Sequence, residues 1–344
     1  MASAVGVLLI AFLFAGSPAA SDPEPTPGSS PGSPMAPVAG RFFTLGATSG
    51  DPLAEMGGRA ICRLLMRLAG EASLSRAEST RCSLALAGSA GETLNQLAGG
   101  RLAFAIVPAA LAAVAYQGGA PGSLRPFPEV RAVLALGDEP LHLVVARNSG
   151  ITSFADLRGR RVNLGPPQSP ERTLMEALLA YYQIRHEDLA AATELAPGRV
   201  AATVCAGDLD AFGLVAGGPA VAVARATDEC GARLIPIPRE AVAAVVATVP
   251  GTTPTTIDKG AFATTSGPVP SLGVVSLLAT SANQDEDDVY ALTRTVIEHL
   301  NEIRGYHPAL ADLAPERMVR DGILVPLHPG AVRYFRERGW ITGG

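Results

Sequence analysis

The chain has 344 residues, 48% hydrophobic and 17% charged, which is enough apolar material for two packed lobes and excludes a disordered chain. Its 27 basic and 32 acidic residues leave a net charge of −5. No basic block is available to neutralise a phosphate backbone, so nucleic acid is not expected as a partner.

The stretch from Val5 to Ala15 (VGVLLIAFLFA) is apolar for about 11 residues, which suits the core of a secretory signal and falls short of the ~20 residues that span a bilayer. Small residues follow at Ser17, Ala19 and Ala20. Residues 1–20 are therefore expected to be a signal peptide, cut near Ala19 or Ala20, with the body exported to the periplasm. No Lys or Arg precedes Arg41, which leaves open an uncleaved anchor or a true start other than Met1. Residues 21–40 are rich in Pro, Ser and Gly and read as an extended linker.

The body opens with a strand, Arg41 to Thr48, then a glycine-containing turn and a helix over Leu53 to Leu68. Arg81 to Gly88 and Leu102 to Pro108 read as strands around a short helix, Glu92 to Ala98. Two further apolar strands are expected at Val130 to Leu136 and Leu141 to Ala146, separated by Gly137 to Pro140. In the segment from Asn148 to Leu164, Ser153 caps a short helix, Gly159 ends the turn, and a buried strand runs from Val162 to Leu164. A helix is expected from Ser169 to Tyr182. Strands near Asp210 to Val215 and Arg233 to Ile237 then alternate with helices near Arg199 to Cys205 and Pro219 to Arg225. Ser271 to Thr280 is an apolar strand, followed by a long helix from Glu286 to Ile303 whose acidic start complements the helix dipole. Such alternation implies an α/β fold of mixed, mostly parallel sheets flanked by helices. We divide the body into one lobe of residues 41–145 plus 245–344 and a second of residues 146–244.

Four cysteines form two local sets, Cys62 with Cys82 and Cys205 with Cys230, and none has the C-x-x-C spacing of a zinc or redox site. In an oxidising compartment two disulfides follow, with the local pairing favoured among three because each bridge then staples one lobe; four buried thiols are the alternative. The five histidines are scattered, so no metal site and no cofactor are expected. Gly88 to Gly91 lacks the spacing of a nucleophile elbow and nothing supplies a base for Ser89; the chain does not read as an enzyme. His142 sits in an apolar strand and reads as a packed residue. His328 and Tyr334 are assigned to packing or to a partner-facing surface, and the acidic run Asp285 to Asp288 to a solvated helix cap.

Several strings resemble one family throughout the body: AICRLL at Ala60, RCS at Arg81, DEPLHLVVARNSGI at Asp138, the SFADLRGRRV and RVNLG strings, GGP at Gly217, DDVYALT at Asp287 and LHPGAVRYFRERGW at Leu327. They look like the TAXI family, the extracytoplasmic solute-binding receptors of tripartite ATP-independent (TRAP) transporters. The resemblance covers Phe42 to Trp340 and implies a type II periplasmic binding protein clamshell. Such a clamshell closes on a small organic anion, of the amino acid or dicarboxylate class, and delivers it to the membrane subunits of a TRAP permease. The fold logic agrees, because helix N-termini that follow strand ends point unpaired N–H groups into the crevice.

The chain also departs from that family. Its first loop is Gly46 to Met56 (GATSGDPLAEM), with Ala54 and Glu55 where relatives carry a tyrosine pair. Polar turns after the next two strands are replaced by Ala87 to Ala90 and by Pro108 to Ala110, and an acidic residue of the family is Ala103. Thr48, Ser49, Ser89, Thr93, Glu139, Ser169, Arg172 and Gly218 remain as expected ligand contacts, with Arg172 read either as a bidentate carboxylate clamp or as an exposed first-turn arginine. These losses predict a smaller or less polar ligand, or a receptor that has lost its ligand. The competing readings are a periplasmic sensor module for a membrane signalling partner and a non-transporting protein with a degenerate cleft.

Overall fold

The computed structural model describes residues 42–70, 81–119, 124–167, 169–218 and 220–342. The expected signal peptide, the linker and Pro219 lie outside the described residues. The strands are β1 (Phe42–Thr48), β2 (Arg81–Ala87), β3 (Phe104–Pro108), β4 (Val130–Val145), β5 (Arg161–Asn163), β6 (Ala191–Thr193), β7 (Ala211–Val215), β8 (Arg233–Leu234), β9 (Thr252–Ile257) and β10 (Val269–Ser281). The α-helices are α1 (Pro52–Gly70), α2 (Ala90–Ala98), α3 (Ala109–Tyr116), α4 (Pro170–Tyr181), α5 (Pro197–Cys205), α6 (Val221–Cys230), α7 (Arg239–Thr248), α8 (Glu286–Glu298), α9 (Leu300–Tyr306), α10 (Pro315–Met318) and α11 (Pro329–Glu337).

The strands join into one curled sheet in the order β2-β1-β3-β10-β4-β7-β5-β6, with β8 added to β4 and β9 to β10. The outer pairs β1 with β2 and β3, and β5 with β6 and β7, are parallel. The two long central strands run antiparallel to their neighbours. This is the mixed α/β architecture of a type II periplasmic binding protein, with β4 and β10 passing from one half of the sheet to the other.

Side-chain alternation explains why each half is covered on both faces. On β3, Phe104 and Ile106 enter a core with Leu45, Ile61, Leu134 and Phe335, packed under α1, α8 and α11. Ala105 and Val107 enter the opposite core with Leu94, Ala112 and Leu277 under α2 and α3. Beyond Pro140 the same alternation on β4 sends Leu141, Leu143 and Val145 to a core with Met175 and Leu178 of α4, and Val144 to one with Val204, Phe212 and Val223. Val242 and Val245 of α7, with Leu272 and Val274 of β10, also belong to the α4 core.

Three sequence expectations change. The two strands proposed around Gly137 are one 16-residue strand, because pairing with β10 continues across the gap. Gly137 accommodates the extra residue there with φ +101°. The long helix ending at Ile303 is two, α8 and α9, broken at His299. The strand expected to reach Ile237 stops at Leu234. Helix α3 was unremarked in the sequence because AALAAVAY has no polar face to set a period.

Both local disulfides are present. Cys62–Cys82 ties α1 to β2 with Cα atoms 4.9 Å apart, and Cys205–Cys230 ties the end of α5 to the end of α6 at 5.4 Å. Helix α11 starts at His328, whose Nδ1 accepts from Gly330 N at 3.2 Å while its other ring nitrogen reaches Gln284 O at 3.1 Å. A Cβ at Gly330 would run into the Glu286 carbonyl oxygen and lie 2.7 Å from Tyr290 N, both backbone atoms of α8. Neither can yield, so Gly330→Ala is expected to cost about 2 kcal/mol or more of unfolding free energy in urea titration. An unchanged midpoint would refute this close helix approach.

Candidate functional site

The site is built where β4 and β10 cross between the halves. Glu139 lies on β4 opposite Val274 of β10 and is 5% exposed. Just beyond, β4 carries an extra residue between Ala135 and Asp138, opposite the single Ser276. A bulge of this kind re-aims side chains. Here the Ser276 hydroxyl, itself fully buried, donates to Glu139 Oε1 at 3.0 Å. The neighbouring Asp138 is held by Arg317 of α10, which also binds Asp321 at 2.7 Å.

The first half contributes the turn between β1 and α1. Asp51 precedes Pro52, the first residue of the helix, a pairing that suits an N-terminus. Its Oδ1 accepts from Ala54 N at 2.9 Å. Burial, reinforced by the Asp51 charge, pushes the Glu139 carboxyl well above the usual carboxylate range, and burial also raises Asp51. The second half contributes the turn after β7, at Gly217 and Gly218. A Cβ at Gly217 would lie 3.2 Å from Leu53 Cβ and 3.4 Å from Glu139 Cγ. Gly218, at φ +69°, would meet Ala309 N at 2.9 Å. The halves are thus in contact through this turn.

Of the expected contacts, Glu139 and Gly218 come to this junction, while Thr48 ends β1 and its carbonyl accepts from Asp51 N at 3.4 Å. The Thr48 hydroxyl is buried with no hydrogen-bond partner. Ser49 and Ser89 are exposed at the ends of β1 and β2. Ser89 accepts from Glu92 N at 3.2 Å as the cap of α2. Thr93 is fully buried and its hydroxyl donates back to Ser89 O at 3.1 Å, which makes it part of the helix. Ser169 caps α4 by accepting from Arg172 N at 3.2 Å. The Arg172 guanidinium is already held by Glu176 at 3.0 Å and Glu194 at 2.6 Å, so neither alternative, open clamp nor bare surface arginine, describes it.

Sequence reasoning missed Asp51 and Ser276. The signals were an Asp-Pro pair after the first strand and a lone hydroxyl inside VVSLLAT. It also left unremarked that the helix N-termini are closed by the chain's own acids. Besides Asp51 on α1, Gly88 N donates to Glu92 Oε2 at 3.1 Å ahead of α2, and buried Glu171 sits in the first turn of α4 beside Ser169, its carboxyl raised by burial. Anion sites of this type need open N–H groups.

His142, three residues beyond Glu139 on β4, is 1% exposed. It lies edge-on to Phe262 at 5.4 Å, with Nδ1 3.2 Å from Leu214 O. Burial pushes its imidazole down to about 4 from an ordinary 6.5. The unfolded chain therefore binds a proton first as pH falls. Stability from the neutral ring is complete above about 6.5 and is lost as pH drops through about 4, by on the order of 3 kcal/mol. An NMR titration of His142 with its midpoint near 6.5 would contradict this burial.

Among solved structures the chain is similar in fold to PhnD1 from Prochlorococcus marinus in complex with methylphosphonate. The TM-score is 0.54 at 9% identity, covering 88% of this chain and 99% of that one. A periplasmic sulfonate-binding protein, SsuA, from Methylobacillus flagellatus gives 0.51 at 13% identity over 88% and 96%. Residues 57–339 match the model of the NMT1-like family. With that match spanning most of the described body, the chain belongs to the NMT1-like family.

Proposed function

We propose that the protein is an extracytoplasmic solute-binding receptor that closes on a small molecule where β4 and β10 cross and presents it to a membrane transporter. The observation that carries this reading is the junction itself. The buried Glu139 carboxyl, packed beside the Gly217 turn of the second half, lies between halves connected by two strands, the position where hinge-closing binding proteins hold ligand. In this reading the second lobe extends past residue 244 to take in α7 and β9, because Val242, Val245 and Ile257 pack in its cores. The chain returns to the first lobe along β10. Two disulfides agree with export, and the apolar stretch at Val5 is assigned as its signal.

We assign the membrane partner to the TRAP class, as a TAXI receptor, on the strings from Ala60 to Trp340 given above. The ligand departs from the glutamate and dicarboxylate class that this resemblance implies. Glu139, its carboxyl raised, and Asp51 bring no positive charge to meet a carboxylate, α1, α2 and α4 carry their own acids, and Arg172 is paired with Glu176 and Glu194. A solute without a carboxylate or phosphonate head fits this lining. The second reading, a cleft that has lost its ligand, is favoured by one observation, the seating of Gly217 and Gly218 on Leu53 and Ala309.

Thermal shift of the exported protein with glutamate, 2-oxoglutarate, methylphosphonate, choline and putrescine tests both. Glutamate, 2-oxoglutarate and methylphosphonate are expected to leave the melting temperature unchanged. Choline or putrescine is expected to raise it, by about 2.7 kcal/mol of stabilisation at a hundredfold excess over Kd, and Asp51→Ala to abolish the shift. Tight binding of glutamate would sink the altered-ligand assignment. No response to any of the five would favour the ligand-less reading.

A further inference from the structure

We infer that the two halves are seated on each other by the Gly217–Gly218 turn through direct contact of protein on protein, so that the chain itself holds the crevice shut and a solute enters by parting this seat. The inference rests on contact distances and stands whether or not the receptor reading holds.

The turn belongs to the second half and comes off the end of β7, whose pairing with β4 finishes at Val215 opposite Leu141. It meets two residues of the first half. A Cβ built on Gly217 would lie 3.2 Å from Leu53 Cβ and 3.8 Å from Ala309 Cβ, and one on Gly218 would lie 3.0 Å from Ala309 Cβ. Gly217 is buried, and neither water nor solute fits between surfaces that a single methyl group would already crowd. Both receiving residues are anchored in the first half. Leu53 is 1% exposed in the core under α1, which it shares with Leu310. The 3₁₀ turn Pro308–Leu310 is capped by His307, whose Nδ1 accepts from Ala309 N at 3.2 Å.

Another glycine of the second half touches the opposite face of the first. Gly251, between α7 and β9, would with a Cβ meet Ala110 N of α3 at 3.0 Å and Leu324 Cδ1 at 3.3 Å. Its carbonyl accepts from Val275 N of β10 at 2.9 Å. The two contacts flank the crossing strands and differ in kind. Gly251 is bonded to a crossing strand and moves with it, whereas the Gly217–Gly218 turn rests on Leu53 and Ala309 by packing. Parting of the halves therefore begins at Gly217, with Gly251 at the pivot.

Gly218 sits at φ +69°, but Gly217 lies outside the left-handed region, so a side chain at 217 tests space alone. The 3.8 Å separation of Cβ positions 217 and 309 is that of a disulfide. Gly217→Cys/Ala309→Cys, stripped of solute in guanidinium chloride and refolded in a glutathione redox buffer, is expected to form the 217–309 bridge in peptide maps, oxidised glutathione taking the two electrons. Gly260→Cys/Ala309→Cys is expected to form none, because a Cβ at Gly260 meets nothing within 4 Å among the described residues. Small-angle scattering of the solute-free wild type is expected to superpose on that of the bridged variant. A folded Gly217→Val, with unchanged circular dichroism, is expected to show a larger radius of gyration. Should either the bridged variant or Gly217→Val fail to fold, the other decides. A folded double variant without the bridge, or one that bridges only after choline or putrescine is added, overturns the proposal. So does a wild type larger than its bridged form, or a Gly217→Val that scatters as the wild type does.

Discussion

Burial of Glu139 is the constraint around which the junction is arranged. Carboxyl groups lose water on burial, and Glu139 loses nearly all of it. Its raised carboxyl and the Ser276 hydroxyl that donates to it answer that loss. Other features meet at the same place: the bulge opposite Ser276, the Asp-Pro turn that starts α1, and two glycines whose missing side chains let the second half approach.

A fold that leaves helix N-termini open at the mouth of a cleft is suited to phosphonate, sulfonate or carboxylate groups. In this chain Asp51, Glu92 and Glu171 occupy those positions, and Glu176 with Glu194 absorbs the arginine that might have compensated. Architecture and ligand chemistry are thus separable here.

The alternation of apolar strands and amphipathic helices made most elements legible in sequence, and local cysteine spacing gave both bridges. Less legible were features set by tertiary pairing. Gly137 reads as a break because a glycine inside an apolar run usually ends one, yet β10 holds the strand together across it. Ser89, Ser169 and Thr93 read as contacts because they are polar residues near strand ends. In the structure Ser89 and Ser169 cap α2 and α4, and the Thr93 hydroxyl donates to Ser89 O inside α2. Glu139 was legible as a polar residue in an apolar stretch. Its partner Asp51 was not, since its importance comes from a strand about ninety positions away.

Both covalent bridges close short loops, of 20 and 25 residues, inside a single half. Neither spans the crossing. Reduction would therefore soften each half from within and leave the freedom of one to swing against the other untouched. Each half and the crossing between them are held by separate chemistries, disulfide bonds within the former and backbone pairing of β4 with β10 in the latter.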